Sequence, residues 1–177
     1  MSRGGIVRRL ALGLIGFGTL AFGLLLSGPA TAENVRVGIL FGVTGQFADF
    51  VPPLLDAVRL AVDEVNTNGG ILKGQKLQTI LADTQGTSPG AIAAATKLVK
   101  TDNVVAVVGP NTSHATKAAA HAVTVPNGVL LISPSATATV LTTLEDKDFV
   151  FRLAPSDADQ GWVLARLIHS QGFTRVA

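Results

Sequence analysis

The 177-residue sequence contains no cysteine and no tyrosine, and aromatic residues make up only 5% of it. The absence of cysteine excludes disulfide bridges, thiolate metal sites, a cysteine nucleophile and a lipid-modified N-terminal cysteine. The sequence also has almost no net charge beyond its first ten residues. Three of the 14 Lys and Arg residues lie within the first ten positions, which leaves 11 of them against all 12 Asp and Glu residues. Nothing in this balance suggests a nucleic-acid-binding surface.

The N-terminus has the pattern of a secretory signal peptide. Arg3, Arg8 and Arg9 precede the apolar run from Leu10 to Leu26, and the small residues up to Ala32 form an A-x-A-like cleavage site. This pattern predicts export to the periplasm and cleavage near Ala32, giving a soluble mature protein. An uncleaved membrane anchor is the alternative, because the apolar run is near the lower limit for spanning a bilayer. Arg8-Arg9 leaves a twin-arginine export route open beside the general one.

The chain after Ala32 alternates short apolar runs with segments of helical periodicity. The runs of strand length are Val35 to Phe41, Lys76 to Ala82, Val104 to Val108 and Gly128 to Ile132. The intervening apolar stripes are Leu54, Val58, Ala61 and Val65, then Ala91, Ala95 and Leu98, then Ala115, Ala118, Ala119 and Ala122. Strands alternating with amphipathic helices predict an α/β fold with a doubly wound parallel sheet. Ser88 and Pro89 are a suitable N-cap and first residue for the second helix.

Three loops follow predicted strands and are rich in Gly, Ser and Thr: Gly42 to Phe50, Gly109 to Ser113, and Ser133 to Thr137. In open α/β sheets the ligand lies outside the carboxyl ends of the strands. The second loop sits in the stretch from Val104 to Thr116, whose strand–loop–helix order would present unpaired N–H groups to an anionic group. This chemistry suits hydrogen bonding of a small polar ligand.

After Leu144 a charged turn leads to an extended segment from Phe149 to Leu153 and to a predicted helix from Asp159 to Ser170. Thr174 to Ala177 has the composition of a strand start. A helix with little to pack against and a strand that begins at the last residue indicate a C-terminally truncated chain.

Six stretches, in order, resemble the periplasmic binding proteins of branched-chain amino acid ABC transporters, which have the type I periplasmic binding fold. They are Val-Gly-Ile-Leu-Phe-Gly-Val-Thr-Gly (37–45), Ala-Val-Asp-Glu-Val-Asn-Thr-Asn-Gly-Gly-Ile (61–71), Ala-Asp-Thr-Gln (82–85), Val-Val-Ala-Val-Val-Gly-Pro (104–110), Leu-Ile-Ser-Pro-Ser-Ala-Thr (131–137) and Phe-Arg-Leu-Ala-Pro-Ser-Asp (151–157). Together they cover nearly all of the mature chain.

The resemblance implies two α/β lobes that close over an amino acid. The N-terminal pattern assigns residues 1–32 to a signal peptide, and the resemblance implies an N-terminal ligand-binding lobe at 33–148 and a hinge crossover with the start of a mostly missing second lobe at 149–177. The resemblance also implies ligand contacts by residues of the three loops: Phe50, Thr112, Ser113, Ser135, Ala136 and Thr137. The implied function is the capture of a branched-chain or other small amino acid, or a related amide or carboxylate, for delivery to ABC permease subunits. The protein would be a monomer that meets the membrane only through the permease and that uses no cofactor or metal.

Several alternatives are open on the residues alone. Ser113 could be only a helix N-cap, Thr137 could be an ordinary turn residue, and Phe50 could belong to the core. His114 and His121 suit a surface or packing role better than metal binding, because no acidic partner stands at metal-ligand spacing. A dinucleotide-binding enzyme would require G-x-G-x-x-G, and the chain does not contain that pattern. A ligand-sensing ectodomain of the same fold, without transport, is the main functional alternative.

Overall fold

The computed structural model describes residues 33–176, so the predicted signal peptide and its cleavage site lie outside the described residues. The strands are β1 (Val35–Phe41), β2 (Leu77–Asp83), β3 (Ala106–Val108), β4 (Leu130–Ser133) and β5 (Val150–Arg152). The α-helices are α1 (Val51–Thr67), α2 (Ser88–Lys100), α3 (Ser113–Ala119) and α4 (Asp157–Ser170). None of the helices within residues 33–176 combines the length and apolar composition needed to cross a membrane.

The five strands form one parallel sheet with the order β2-β1-β3-β4-β5. The chain crosses from β1 outward to β2 and then back to β3 on the other side of β1. The loops that leave β1 and β3 therefore diverge at the carboxyl edge, and this reversal of strand order is where open α/β sheets bind ligands. The α/β fold class predicted from the sequence is confirmed.

One face of the sheet is covered by α2 and α3. Its core includes Leu40, Leu98, Val107 and Leu131, all of which are fully buried. Alanines supply the helix contacts, and five of them are completely inaccessible to solvent: Ala91, Ala95, Ala115, Ala119 and Ala120. Small side chains let the helices approach the strands closely, so this face is densely packed.

The other face is covered by α1 alone among the described helices. Ile39, Phe41 and Val51 are buried there, whereas the helix residues Leu54, Leu55 and Val58 are only half-buried. An apolar cavity of about 340 Å³ lies between α1 and the sheet. The stripe predicted for α1 therefore faces the sheet but is not sealed from solvent.

Some local predictions differ from the structure. The N-cap of α2 is Thr87, whose side chain accepts a hydrogen bond from the Gly90 N–H, and Ser88 is already helical. The third helix continues beyond Ala119 as a π-helix at Ala120–Thr124 and a 3-10 turn at Val125–Asn127. Residues 174–176 form no strand, because no neighbouring strand pairs with them in the described part of the chain.

Candidate ligand-binding site

The loop between β3 and α3 packs tightly against the end of β1. Gly109 has a φ of +109°, and a Cβ atom at this position would lie 2.0 Å from the carbonyl oxygen of Leu40. Glycine is the residue that tolerates both the positive φ and this close approach. The strand–loop–helix junction predicted from the sequence is present, with its loop held against the neighbouring strand.

Asn111 joins all three predicted loops. Its side-chain Oδ1 accepts a hydrogen bond from the Gly42 N–H at 3.0 Å, which ties the loop after β1 to the loop after β3. Its backbone carbonyl accepts a hydrogen bond from the Ser135 hydroxyl at 2.9 Å, which ties in the loop after β4. Asn111 could not be identified from the sequence, because an asparagine in a polar turn carries no local sign of contacts with residues distant in sequence.

Ser113 is the first residue of α3, and the N-cap is Thr112. The Ser113 hydroxyl therefore does not cap its own helix. Instead, its Oγ accepts hydrogen bonds from the backbone N–H groups of Thr137 and Ala138, each at 3.2 Å. The structure thus brings together two of the predicted loops through the serine that the resemblance singled out.

Behind this contact lies a buried group of hydroxyls. The Ser133 hydroxyl donates to the Pro110 carbonyl at 2.6 Å, and its Oγ accepts the Ala136 N–H at 3.1 Å. Thr116 donates to the Thr112 carbonyl at 2.8 Å. Ala136 is fully buried, so this predicted site residue lies behind the cleft wall with its N–H already hydrogen-bonded. Its observed contacts support the loop and not the cleft surface.

A cleft of about 800 Å³ opens at the carboxyl edge of β1, β3 and β4. Five of the six predicted site residues line it, and Ala136 does not. The lining residues are Gln46, Phe47, Phe50, Leu54, Asn111, Thr112, Ser113, His114, Ser135 and Thr137. An aromatic side on the loop after β1 therefore faces a hydroxyl-rich side on the other two loops.

Phe50 belongs to the aromatic side of the cleft. Its side chain is 68% exposed, which excludes a core role in the described structure. Its ring centroid lies 6.5 Å from that of Phe47, with the planes tilted by 46°. The pair offers an apolar surface to a ligand without closing the cleft.

Two further polar groups border the hydroxyl-rich side. The Thr112 Oγ1 is buried and has no hydrogen-bond partner among residues 33–176. The Nε2 of His114 lies 3.0 Å from the Gly86 carbonyl oxygen. Since a carbonyl only accepts, that nitrogen carries the hydrogen, and His114 links α3 to the loop before α2.

Asp83, at the end of β2, holds the turn that follows β1. Its carboxylate accepts the Thr44 hydroxyl at 2.6 Å and the Thr44 N–H at 3.2 Å, and the Gln85 N–H at 2.8 Å. Partial burial acts to raise the pKa of Asp83, but hydrogen bonds from Thr44, Gln85 and Val43 together outweigh it. The pKa therefore lies below the usual value of 3.8.

The fold and the cleft place the chain in the class of α/β ligand-binding lobes. The strand order reverses beside a concave surface that combines an aromatic pair with hydrogen-bonding hydroxyls. The chain belongs to the periplasmic binding protein family, whose sequence model matches residues 34–177. This match confirms the resemblance drawn from the six sequence stretches.

Among curated relatives, the Leu/Ile/Val-binding protein BraC3 of Rhizobium johnstonii is 34% identical over 140 residues, covering 79% of this chain and 37% of that protein. The Leu/Ile/Val-binding protein of Escherichia coli is 32% identical over 145 residues, covering 82% of this chain and 38% of that protein. The chain thus spans less than two fifths of the length of these relatives.

Solved structures of ABC transporter substrate-binding proteins are similar to this chain. The branched-chain amino acid transporter substrate binding protein LivJ from Streptococcus pneumoniae, in complex with isoleucine, has 36% identity and a TM-score of 0.65; the match covers 70% of this chain and 34% of that one. An ABC transporter substrate-binding protein from Desulfitobacterium hafniense, in complex with Leu, has 28% identity and a TM-score of 0.69. That match covers 79% of this chain and 39% of the other.

Proposed function

We propose that this chain is the first lobe of an extracytoplasmic solute-binding component of an ABC transporter. The protein would bind a branched-chain or other small amino acid and deliver it to the permease subunits. The relatives named for Leu/Ile/Val binding, and the two structures that contain isoleucine and leucine, support this ligand class. The proposed role includes no catalytic step and no cofactor.

The main support for the proposal is the hydrogen-bonding state of the Ser113 hydroxyl. A serine hydroxyl has two acceptor lone pairs and one hydrogen. Both lone pairs of Ser113 face backbone N–H groups, of Thr137 and Ala138. The hydrogen has no acceptor among the described residues, and Ser113 lines the cleft. A carboxylate only accepts hydrogen bonds, so it is the natural partner for this hydrogen.

The rest of the cleft suits the other parts of an amino acid. Thr112, Ser135 and Thr137 surround Ser113 with further hydroxyls, while Phe47 and Phe50 form the apolar side. An aliphatic side chain would pack on the aromatic pair, and the carboxylate would lie against Ser113. Ala136 would contribute by holding the loop in place.

We further propose that residues 33–148 form the first lobe and that residues 149–177 form the crossover and the start of a second lobe. Binding would then proceed by hinge closure of the second lobe over the ligand. The protein would act as a monomer in the periplasm, reached through the signal peptide at 1–32, and would meet the membrane only at the permease.

Calorimetric titration of Ser113→Ala and Thr137→Ala tests the site, using the protein in the full length that its gene encodes. Each variant should bind L-leucine, L-isoleucine or L-valine more weakly by about 1–3 kcal/mol, because a buried polar partner is left unsatisfied. Thr96→Ala is the matched control, since Thr96 lies on the exposed side of α2 and its hydroxyl donates, among the described residues, only to the Ile92 carbonyl. Unchanged affinity in both site variants would contradict the assignment, and a wild-type protein that binds none of the three amino acids would contradict the ligand class.

A further inference from the structure

Arg152, the last residue of β5, contacts the loop that carries Thr137. Its Nη1 donates to the carbonyl oxygens of Thr137 at 3.2 Å and Ala138 at 3.0 Å. Its Nη2 donates to the Thr142 hydroxyl at 2.6 Å. The guanidinium thus bridges the crossover strand and the loop after β4 with three hydrogen bonds.

The Thr137 carbonyl and the Ala138 N–H belong to the same peptide group. Arg152 donates to the oxygen of that group, and its N–H donates to the Ser113 Oγ at 3.2 Å. The donors therefore form a continuous series from the guanidinium, through one peptide unit, to the serine hydroxyl. Hydrogen bonds in series polarise one another, so each donation strengthens the next. The Ser113 hydrogen at the end of the series is thereby made a better donor.

Within residues 33–176, no carboxylate forms a salt bridge with Arg152. The salt bridges within residues 33–176 are Arg36 with Glu33, Arg59 with Asp56, and Lys97 with Asp102. Arg152 is half-buried, where its field is screened less than that of a fully exposed cation. The positive charge of Arg152 therefore polarises the Thr137–Ala138 peptide group, which adjoins the cleft surface formed by Ser113 and Thr137.

We propose that Arg152 is a positioning residue for anion recognition, which it favours by orienting and polarising the Thr137–Ala138 peptide group that binds the Ser113 hydroxyl. This inference rests on the proposed function, because it presupposes a carboxylate at Ser113. It assigns to the crossover strand a part in ligand affinity although Arg152 does not line the cleft.

A double-mutant cycle tests whether Arg152 acts through Ser113. Arg152→Met, Ser113→Ala and the double variant are titrated with L-leucine, in the full length that the gene encodes. Arg152→Met should weaken binding by about tenfold, as expected for the loss of a charge-assisted hydrogen bond. Arg152→Lys should recover part of that loss because it keeps the charge. The double variant should bind within about threefold of Ser113→Ala alone, since residues of one network are not additive. Losses that multiply in the double variant would overturn the proposal, as would an unchanged affinity in Arg152→Met.

A measurement without ligand separates this inference from the proposed function. The amide proton resonance of Ala138 should move upfield, and its exchange with solvent should become faster, in Arg152→Met but much less in Arg152→Lys. Arg152→Gln serves as a second uncharged variant if Arg152→Met fails to fold. Arg59→Met is the control, because Arg59 is exposed on α1 and its only ion-pair partner in the described part of the chain is Asp56. An Ala138 resonance that is the same in wild type and in the uncharged variants would overturn the proposal even if leucine binding is confirmed. Failure of the wild-type protein to bind amino acids would overturn the proposed function, and with it the role of Arg152 in anion recognition, whatever the Ala138 resonance shows.

Discussion

The α2–α3 face of the sheet and the α1 face bury their apolar residues to different extents. On the α2–α3 face, leucines from both strands and helices are completely inaccessible, and alanines bring the helices close. On the α1 face, the helix leucines are half-buried and an apolar cavity of about 340 Å³ remains. The two faces therefore hold their loops by different means.

The difference in packing between the two faces shows how the loops around the cleft are held in place. The loops after β3 and β4 stand beside the densely packed face, with buried hydroxyls such as Ser133 behind them. The loop after β1 leads into α1, where apolar packing is looser. That loop is held by hydrogen bonds that Gly42 donates to Asn111 and Thr44 donates to Asp83. Dense packing together with buried hydrogen bonds supports the hydroxyl-rich side of the cleft, whereas the aromatic side depends mainly on hydrogen bonds.

The largest expected effect is on the densely packed face. Leu98 is fully buried against β1, and its Cδ1 lies 2.8 Å from where a Cβ on Gly38 would stand. Leu98→Ala should lower the free energy of unfolding by about 3–5 kcal/mol, because a closely packed site cannot collapse around the cavity. Denaturant unfolding followed by circular dichroism measures this loss. A loss below about 1 kcal/mol would show that this face is no tighter than the other.

The same substitution on the α1 face provides the matched comparison. Leu55 packs against the small cluster of Ile39, Phe41 and Val51 but is only half-buried. Leu55→Ala should lower the free energy of unfolding by about 1–2 kcal/mol, because less apolar surface returns to water and solvent already reaches the site. Equal losses for Leu55→Ala and Leu98→Ala, under the same denaturant conditions, would remove the distinction between the faces.

Much of the fold could be predicted from the sequence because its signals are local. Apolar runs of strand length and helical spacing gave β1 to β4 and α1 to α3, with ends within a few residues of those observed. The Gly, Ser and Thr content of the loops indicated the cleft, and the family resemblance supplied six candidate residues, five of which line it. The difference in burial between the two faces could not be predicted, because the helical spacing of apolar residues in α1 and α2 does not show how closely each helix packs on the sheet.

The polar contacts that shape the cleft could not be predicted, for a different reason. Asn111 bonds to Gly42, 69 residues away in sequence, and Ser113 bonds to Thr137, 24 residues away. Such pairs depend on which strands become neighbours, and no local pattern encodes that order. The role of Ser113 as a helix cap was the simpler expectation, and the structure replaces it with a contact to another loop. The sequence marks Arg152 only as part of the stretch 151–157, which resembles the family, and gives no sign of its contacts.

The smallest expected effect concerns the hydrogen bonds that secure the loop after β1. Asp83→Asn keeps the size of the side chain but loses its charge and its acceptor for the Thr44 hydroxyl. At neutral pH it should lower the free energy of unfolding by about 0.5–1.5 kcal/mol, the usual contribution of such contacts. Asp63→Asn is the control, because Asp63 is exposed on α1 and receives no hydrogen bond from the described residues. Its unfolding free energy should match that of the wild type.

The dependence on pH distinguishes this polar support from apolar packing. Because the pKa of Asp83 is lowered in the folded state, its stabilisation is fully present above the usual value of 3.8. That stabilisation disappears as the pH falls through the lower folded-state pKa. The difference in unfolding free energy between wild type and Asp83→Asn should therefore shrink in acid, whereas the loss caused by Leu98→Ala should not follow that titration. A difference for Asp83→Asn that persists unchanged below the folded-state pKa would mean that the shape of Asp83, and not its charge, secures the loop. The α1 side of the cleft would then be held in the same pH-independent way as the α2–α3 side.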